Sequence, residues 1–381
     1  MKIEQTRWTP LDYWSEGSPG KELRDAQLVF AFGGRSALSN DSLIGDVRSA
    51  YPEAYVFGCS TAGEIYDTEV TDDGLVVTAV RLESTGIQHA EVLVSDTETS
   101  HEAGERLAQA LPHDGLVHVF VLSDGLHVNG SELVAGLAQH LPQDVSITGG
   151  LSGDGDRFEQ TFVVLNGSPK AGAVGILGFY GTALTVGYAS LGGWDAFGPE
   201  RLITKSEGNV LFELDGKSAL QLYRAYLGEH AAGLPATGLL FPLSLRVHET
   251  DTPVVRTILA IDEETQSLTF AGDVPTGAYA RLMKANFDRL IDGAVGAARA
   301  SYQAVGSQSP ELAILISCVG RKMVLKQRIE EEVEGVRDVL GDRTVLAGFY
   351  SYGEISPFTP SAKCELHNQT MTITTFSERA A

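Results

Sequence analysis

The sequence has little cysteine and no long apolar run. Its 381 residues include three cysteines, an odd and low number that is typical of a reducing compartment and argues against a disulfide framework. No stretch of about 18 apolar residues occurs, so we expect no membrane span. The N-terminal residues also lack the apolar core of a signal peptide. These absences predict a cytoplasmic protein.

Basic residues are also scarce. Lysine and arginine number 28 against 50 aspartates and glutamates, which gives a formal net charge of -22. An acidic surplus of this size opposes nonspecific binding to nucleic acid or to anionic membranes. A local basic pocket is compatible with it, because the distribution of charge matters more than its sum. The length allows two domains or one large domain, and 43% hydrophobic residues can build a large core.

One loop pattern occurs three times. A glycine, four residues, a second glycine and an acid occupy residues 58–64, 150–156 and 348–354. Each copy follows an apolar strand, and an upstream glycine precedes it by 24, 25 and 28 residues, at Gly34, Gly125 and Gly320. Three copies in similar register predict a mixed α/β fold, in which repeated β-α-β-β units form layered sheets with flanking helices. Loops that gather on one side of a sheet would form a pocket.

The repeats also divide the chain. They cover about 25–83, 115–179 and 311–378, and a different block lies at about 181–309. Within that block we expect a hairpin over 254–270 and a long helix over 278–305. We predict an N-terminal domain over 25–200 and a C-terminal domain over 201–378.

Charged residues at these loops are candidate ligand-binding groups. Glycine-rich loops can present backbone N–H groups to an anion, but Glu64, Asp156 and Glu354 at the loop ends would repel phosphate. These acids suit a cationic group such as the amine of an amino acid, or they pair with Arg35 and Arg321, which follow upstream glycines. A guanidinium there can hold a carboxylate in bidentate fashion, and a structural salt bridge is the alternative.

The full set of candidates combines loop acids, loop hydroxyls and arginines. The predicted ligand-binding residues are Arg35, Ser60, Glu64, Asp124, Asp156, Arg256, Arg321, Ser351 and Glu354. The middle copy departs from the others, because Asp124-Gly125 replaces the Gly-Arg pair. This asymmetry favours one ligand site over three equivalent sites, with the first and third copies as the preferred positions.

Two cysteines lie at predicted strand ends near these loops. Neither Cys59 nor Cys318 has a histidine close by in sequence to act as a base, so buried structural thiols are the favoured interpretation. An enzyme that uses Cys59, with Glu64 or Glu354 as the acid–base group, is an alternative. The sequence contains no zinc-protease motif, no Walker loop and no kinase signature.

Several longer segments point to a known family. In the N-terminal half they are F-G-G-R at 32–35 and G-C-S-T-A-G-E-I at 58–65. In the C-terminal half they are S-E-G-N-V-L-F-E-L-D-G-K at 206–217, A-G-D-V-P at 271–275, C-V-G-R at 318–321, G-F-Y-S-Y-G-E-I at 348–355 and C-E-L-H-N-Q-T at 364–370. Over about residues 25–378 the chain resembles the FIST proteins, bacterial sensory proteins with paired FIST N and FIST C domains.

The resemblance implies a sensory module that binds a small ligand and is not an enzyme. Members have been proposed to bind amino acids, and some, of the nitric-oxide-sensing NosP type, are described as haem proteins that regulate a histidine kinase or a cyclic-di-GMP enzyme. The sequence contains no such output segment, so we expect action in trans on a partner. In a haem version His367 is the preferred iron ligand and His248 the second choice. Structural histidines, in a haem-free amino-acid or metabolite sensor, are the alternative.

Overall fold

The computed structural model describes residues 1–15, 18–249, 253–306, 309–358 and 362–379. The helices are α1 (Arg35–Leu38), α2 (Asp41–Ala50), α3 (Ser100–Ala110), α4 (Gly130–His140), α5 (Ala219–Leu227), α6 (Phe287–Ala304), α7 (Val319–Leu325) and α8 (Ile329–Leu340). Short 3₁₀ turns cover Val94–Asp96, Gly228–Gly233, Ala236–Leu240 and Lys326–Arg328.

The strands fall into an N-terminal set, an insert and a C-terminal set. The N-terminal set is β1 (Lys2–Thr9), β2 (Tyr13–Trp14), β3 (Leu28–Gly33), β4 (Tyr55–Ser60), β5 (Glu64–Tyr66), β6 (Glu69–Thr71), β7 (Leu75–Arg81), β8 (Gly86–Leu93), β9 (Leu116–Ser123), β10 (Ser146–Leu151), β11 (Val163–Leu165), β12 (Ser168–Lys170), β13 (Ala173–Tyr180) and β14 (Leu184–Leu191). The insert is β15 (Asp195–Glu207), β16 (Val210–Leu214), β17 (Lys217–Ser218), β18 (Leu243–Arg246), β19 (Val254–Arg256), β20 (Ile258–Asp262), β21 (Ser267–Phe270) and β22 (Tyr279–Lys284). The C-terminal set is β23 (Leu312–Cys318), β24 (Val345–Ser351), β25 (Gly353–Pro357), β26 (Cys364–His367) and β27 (Met371–Glu378).

Each repeat forms the same three-stranded unit. In the first, the parallel strands β3 and β4 flank α2 in sequence, and β7 lies antiparallel on the other side of β3. Strands β9, β10 and β13 with α4 repeat this arrangement, as do β23, β24 and β27 with α8. Asn40 and Asn129 begin α2 and α4, because their side chains accept otherwise unpaired backbone N–H groups. The predicted mixed α/β fold of repeated units with layered sheets and flanking helices is confirmed.

Exchanged strands tie the three units into a ring. After its parallel pair, each unit adds an edge strand to another unit's sheet: β5 pairs with β24, β11 with β4, and β25 with β10. The following strands continue the cycle, since β8 pairs with β13 and β14 pairs with β27. Loops that are far apart in sequence therefore meet, and this exchange positions the candidate site.

The sheets of the three units share an aromatic core. The ring centroids of Phe30 and Phe120 lie 5.6 Å apart, and those of Phe32 and Phe349 lie 4.8 Å apart. These rings come from all three units and belong to one buried cluster. Burial of such large apolar side chains holds the units together.

A glycine fixes the true register of the three copies. A Cβ at Gly58, Gly149 or Gly348 would lie 1.8 to 1.9 Å from a carbonyl oxygen of the neighbouring parallel strand, so only glycine fits. The middle copy therefore aligns on Gly149, one residue before the glycine of the sequence pattern. As a consequence, Asp156 is not the structural counterpart of Glu64 and Glu354.

The insert forms a fourth, eight-stranded sheet with its own buried cluster. The predicted helix over 278–305 is wrong in its first part, where β22 pairs with β15 and β18. Ala280 and Leu282 are buried, whereas Tyr279 and Arg281 are exposed, which is the alternation of a strand. In the described part of the chain, no helix has the length and apolarity needed to cross a membrane. The predicted domain boundary near residue 200 stays a prediction.

Candidate functional site

A buried carboxylate joins loops of all three copies. Asp154 accepts hydrogen bonds from the three consecutive backbone N–H groups of residues 158–160, at 2.9, 3.0 and 3.0 Å. The hydroxyl of Tyr352 in the third copy also donates to it, and Nη1 of Arg35 in the first copy lies 3.3 Å from its Oδ2. Burial alone would raise the pKa of Asp154, but these donors outweigh it and the pKa is lowered. The site therefore contains a fixed negative charge behind its arginine.

A cleft of about 700 Å³ opens beside Arg35, between loops of the first and second copies. The lining residues are Arg35, Ser36, Ser39, Asp73, His127, Arg157, Glu159, Gln160 and Ala171. Arg35 reaches Glu159 at 3.0 Å, and Nη2 of Arg157 lies 3.9 Å from Oδ1 of Asp73. All four of these side chains are partly exposed, so the cleft offers two guanidinium groups and two carboxylates to a ligand.

The predicted residue Asp124 supports this cleft from behind. Its carboxylate is fully buried and lies 3.0 Å from Nδ1 of His127, whose side chain is 62% exposed. Asp124 also accepts hydrogen bonds from the hydroxyl of Thr161 and the backbone N–H of Gly172, each at 3.0 Å. The imidazole of His127 is thereby held at the cleft. Asp124 itself is out of reach of a ligand.

Among the residues that the structure describes, Arg35 is the one predicted ligand residue that lines the cleft. Asp156 is exposed on the loop that carries Arg157 and Glu159, but it does not belong to the lining. The other predicted residues are buried away from solvent. The structure thus brings the first copy together with the second copy, and not with the third, around this cleft.

The two loop glutamates are buried, and each accepts hydrogen bonds from its own loop and from a later segment of the same copy. Glu64 accepts hydrogen bonds from the hydroxyl of Thr61 and, at 2.9 Å, from the backbone N–H of Gly74. Glu354 accepts hydrogen bonds from Ser351 and from Thr370. Burial raises the pKa of each glutamate to about 8, because the charged form loses its hydration. At neutral pH both are largely uncharged, so they do not supply the negative charge that we expected of the loop acids.

Arg321 forms a structural salt bridge. It is fully buried, and Nη2 donates to Glu332 at 2.6 Å. The same guanidinium donates to the backbone carbonyls of Gly192 and Leu290 at 2.9 and 2.7 Å. The sequence left open a ligand contact or a salt bridge to a loop acid, and the structure shows a salt bridge whose partner is Glu332 and not a loop acid.

Arg256 lies in the interior and contacts backbone oxygens. Its Nη1 donates to the carbonyl of Leu366 at 2.9 Å, and its Nε donates to the carbonyl of Asp273 at 3.2 Å. Burial lowers its pKa to about 10. These contacts join the insert to the third unit, so the position of Arg256 is that of a structural residue.

The two predicted serines hold loops in place. Oγ of Ser60 accepts a hydrogen bond from the backbone N–H of Phe162 at 2.8 Å, which links the first copy to the segment just before β11 of the second. Oγ of Ser351 donates to Glu354 at 2.6 Å. Both serines are fully buried, so neither contacts a ligand in the cleft.

The cysteines do not have the environment of a nucleophile. Cys59 is 0% and Cys318 is 1% exposed, and burial raises the pKa of both thiols. A reactive cysteine needs an accessible thiolate with a lowered pKa. The geometry therefore does not support the alternative in which Cys59 acts as a catalytic group.

Neither predicted iron ligand fits a haem in this conformation. His367 is 1% exposed, its Nε2 lies 2.7 Å from the carbonyl oxygen of Ser356, and its ring packs at 4.1 Å from that of Phe358. Its Nδ1 has no hydrogen-bond partner among the described residues, but the cleft beside Arg35 does not reach it. His248 is exposed, and a haem requires an apolar slot. Haem binding stays a prediction that rests on the family resemblance.

Besides Arg35, the cleft lining contains four titratable residues that the sequence-based prediction missed: Asp73, His127, Arg157 and Glu159. Asp73 lies in the stretch Thr71 to Gly74, which has the composition of a turn. Arg157 and Glu159 follow directly after the middle loop, where a run of charged residues was the available signal. Their meeting depends on the exchange of strands between units, which local sequence does not reveal.

Comparisons with known proteins identify the family. The chain matches the FIST N domain over residues 27–217 and the FIST C domain over residues 219–357. This chain belongs to the FIST family. FIST domains are small-ligand sensing domains of signalling proteins.

Two more distant similarities add little about function. The uncharacterized protein MJ1623 of Methanocaldococcus jannaschii is 24% identical over 335 residues, which cover 81% of this chain and 62% of that relative. The chain therefore spans less than two thirds of the relative's length. A crystal structure of a cyanuric acid hydrolase from A. caulinodans covers 100% of this chain and 99% of its own, with 9% identity and a TM-score of 0.38. A similarity this low supports no statement about activity.

Proposed function

We propose that this FIST protein senses a small zwitterionic ligand, such as an amino acid, in the cleft beside Arg35. It then acts in trans on a cytoplasmic partner such as a histidine kinase or a cyclic-di-GMP enzyme. The observation that carries the proposal is the pairing of Arg35 and Arg157 with Glu159 and Asp73 in one solvent-open cleft. An amino acid carries the complementary carboxylate and ammonium groups.

The ion pairs in the cleft are weak enough for a ligand to replace them. Pairs that are open to water contribute about 0 to 1 kcal/mol each, so a ligand can replace them at little cost. Its carboxylate would bind to a guanidinium, and its amine would bind to Asp73 or Glu159. Before a ligand binds, Asp154 orients Arg35, since it contacts the guanidinium from the buried side.

Thermal-shift screening tests the proposal. A ligand that binds only the folded state, at about 100 times its Kd, adds roughly 2.7 kcal/mol of stability and raises the unfolding midpoint. We expect one or more of the common amino acids at millimolar concentration to raise the midpoint of the wild-type protein, and Arg35→Ala to abolish this rise.

Arg246→Ala is the matched control, because Arg246 also forms a partly exposed ion pair, with Glu200 in the insert. It should respond to the ligand as the wild type does. If none of the amino acids changes the wild-type midpoint, or if Arg35→Ala responds normally, the cleft is not an amino-acid site.

The nitric-oxide version of the proposal rests on the family resemblance and needs haem. Its readout is the absorption spectrum of protein purified with haem supplied. Absence of a Soret band in the wild type would rule it out. A Soret band that is unchanged in His367→Ala would rule out His367 as the ligand, in agreement with the burial of its ring.

A further inference from the structure

One wall of the cleft is the loop of residues 154–160, which presents Arg157 and Glu159. The carboxylate of Asp154 accepts hydrogen bonds from the N–H groups of residues 158–160 and so fixes the conformation of the loop. Phe158 has a φ of 52°, a left-handed conformation that is unfavourable for a bulky residue. The loop is therefore held by its contacts and not by local preference.

Tyr352 of the third copy contacts this loop at two points. Its hydroxyl donates to Asp154, and its ring stacks on Phe158 with the centroids 4.4 Å apart at 13°. A Cβ at Gly125 or Gly153 would lie 3.0 or 3.3 Å from the ring, so these glycines leave the room that the tyrosine needs. One side chain thus supports both the carboxylate behind Arg35 and the loop that bears Arg157.

The backbone of Tyr352 continues the connection to the insert. Its carbonyl accepts a hydrogen bond from Nδ2 of Asn368 at 3.4 Å. Oδ1 of Asn368 in turn accepts from the backbone N–H of Thr257, in the insert, at 3.4 Å. A contiguous set of contacts therefore runs from Arg35 through Asp154, Tyr352 and Asn368 to Thr257.

We propose that Tyr352 is a positioning residue that couples the state of the cleft to the insert. A ligand that draws Arg35 away from Asp154 changes the strength of the hydrogen bond from the Tyr352 hydroxyl to Asp154. Tyr352 then shifts, and this shift alters the hydrogen bond between Asn368 and Thr257. Coupling of this kind requires an element that both sites bias, and here that element is Tyr352 with the loop of residues 154–160. The proposal rests on the cleft being the ligand site.

Amide hydrogen exchange tests the coupling without any ligand. Arg35→Ala imitates the release of Arg35 from Asp154. We expect it to accelerate exchange at the amides of residues 158–160 and, about 5-fold, at Thr257, which is within the usual range of coupling between sites. In the double variant with Tyr352→Phe, which keeps the aromatic ring and removes the hydroxyl, the change at Thr257 caused by Arg35→Ala should disappear.

Tyr350→Phe is the matched control, because the Tyr350 hydroxyl is also buried but donates to Glu332. In that background Arg35→Ala should still affect Thr257. If Tyr352→Phe does not fold, Asn368→Ser shortens the side chain that joins Tyr352 to Thr257 and should likewise uncouple Thr257 from Arg35. The proposal is wrong if Arg35→Ala leaves the exchange rate of the Thr257 amide unchanged in the wild-type background. It is also wrong if Arg35→Ala changes that rate equally in the Tyr352→Phe background. A thermal-shift screen without any binding amino acid would contradict the proposed function. The exchange experiment uses no ligand, so it would still decide whether Tyr352 couples Arg35 to Thr257.

Discussion

The first and third copies have the same backbone hydrogen-bond pattern, but equivalent residues differ in their exposure to solvent. In the first copy the N–H of Gly34 donates to the carbonyl of Gly74, and in the third the N–H of Cys318 donates to the carbonyl of Thr370. Gly74 and Thr370 are therefore equivalent, and the residues before them, Asp73 and Gln369, are equivalent as well. Asp73 lines the open cleft, whereas Gln369 is fully buried.

The insert accounts for this difference. Nε2 of Gln369 donates to the carbonyl of Leu239 at 3.1 Å and to the hydroxyl of Thr257 at 3.0 Å. Both partners belong to the insert, which covers the third copy in this way. At the equivalent position of the first copy, the described residues leave the side chain of Asp73 half exposed. Of the two copies, the first thus keeps its loop end open and the third uses the equivalent position to attach the insert.

The largest expected effect concerns the two arginines that follow the upstream glycines. Arg321→Met removes one partner of a fully buried ion pair and leaves Glu332 without its counter-charge. We expect a loss of about 3 to 5 kcal/mol in the free energy of unfolding, measured by urea denaturation. Arg35 is partly exposed and Asp154 keeps four other donors, so Arg35→Met should cost about 1 kcal/mol or less.

The double variant Arg321→Met with Glu332→Gln provides the control for this comparison. Removing both charges should restore part of the lost stability, because no unpaired charge is left in the core. Equal losses for Arg35→Met and Arg321→Met would contradict the distinction between an open first copy and a closed third copy.

A smaller effect should be the same in both copies. The pKa of Glu64 and of Glu354 is about 8 in the folded protein and 4.5 in the unfolded reference. Between these values the folded state holds protons that the unfolded chain has released. The stabilising contribution is therefore complete below pH 4.5 and is lost as the pH rises to about 8.

Urea denaturation from pH 4.5 to 9 measures this loss. Each of Glu64→Gln and Glu354→Gln should remove about half of the slope that these two groups cause, since glutamine does not ionise. Similar results for the two variants would show that the glutamates are equivalent. A slope unchanged in the double variant would mean that neither glutamate titrates in this range.

Much of the fold could be predicted from the sequence, because each repeated element is recognisable from a short stretch of residues. The apolar strands and the glycines at strand ends each have a short-range cause, and together they predicted repeated β-α-β-β units. The register of the middle copy was misassigned by one residue. Gly149 and Gly150 are adjacent, and only the approach of the Val121 carbonyl distinguishes them.

The candidate site was much less predictable than the fold. Arg35 was identified from its position at a strand end, but Arg321, at a similar position in sequence, points into the core. The distinction depends on Glu332 in α8 and on carbonyls next to the insert, which are tertiary contacts. Likewise, Asp73 and Arg157 face the same cleft only because of how the units assemble.

The smallest effect tests the comparison directly by giving the first copy the residue of the third. Asp73→Gln introduces the side chain that stands at the equivalent position, 369, and removes one carboxylate from the cleft. Asp73 is half exposed, so the free energy of unfolding should change by less than about 0.5 kcal/mol. Affinity for an amino acid found in the thermal-shift screen should fall about 10-fold by calorimetry, since its amine loses a charged partner. Asp72→Gln, next to it and outside the cleft lining, is the matched control and should retain the wild-type affinity. If Asp73→Gln binds as tightly as the wild type, the amine does not contact this carboxylate, and Glu159 becomes the group to change next.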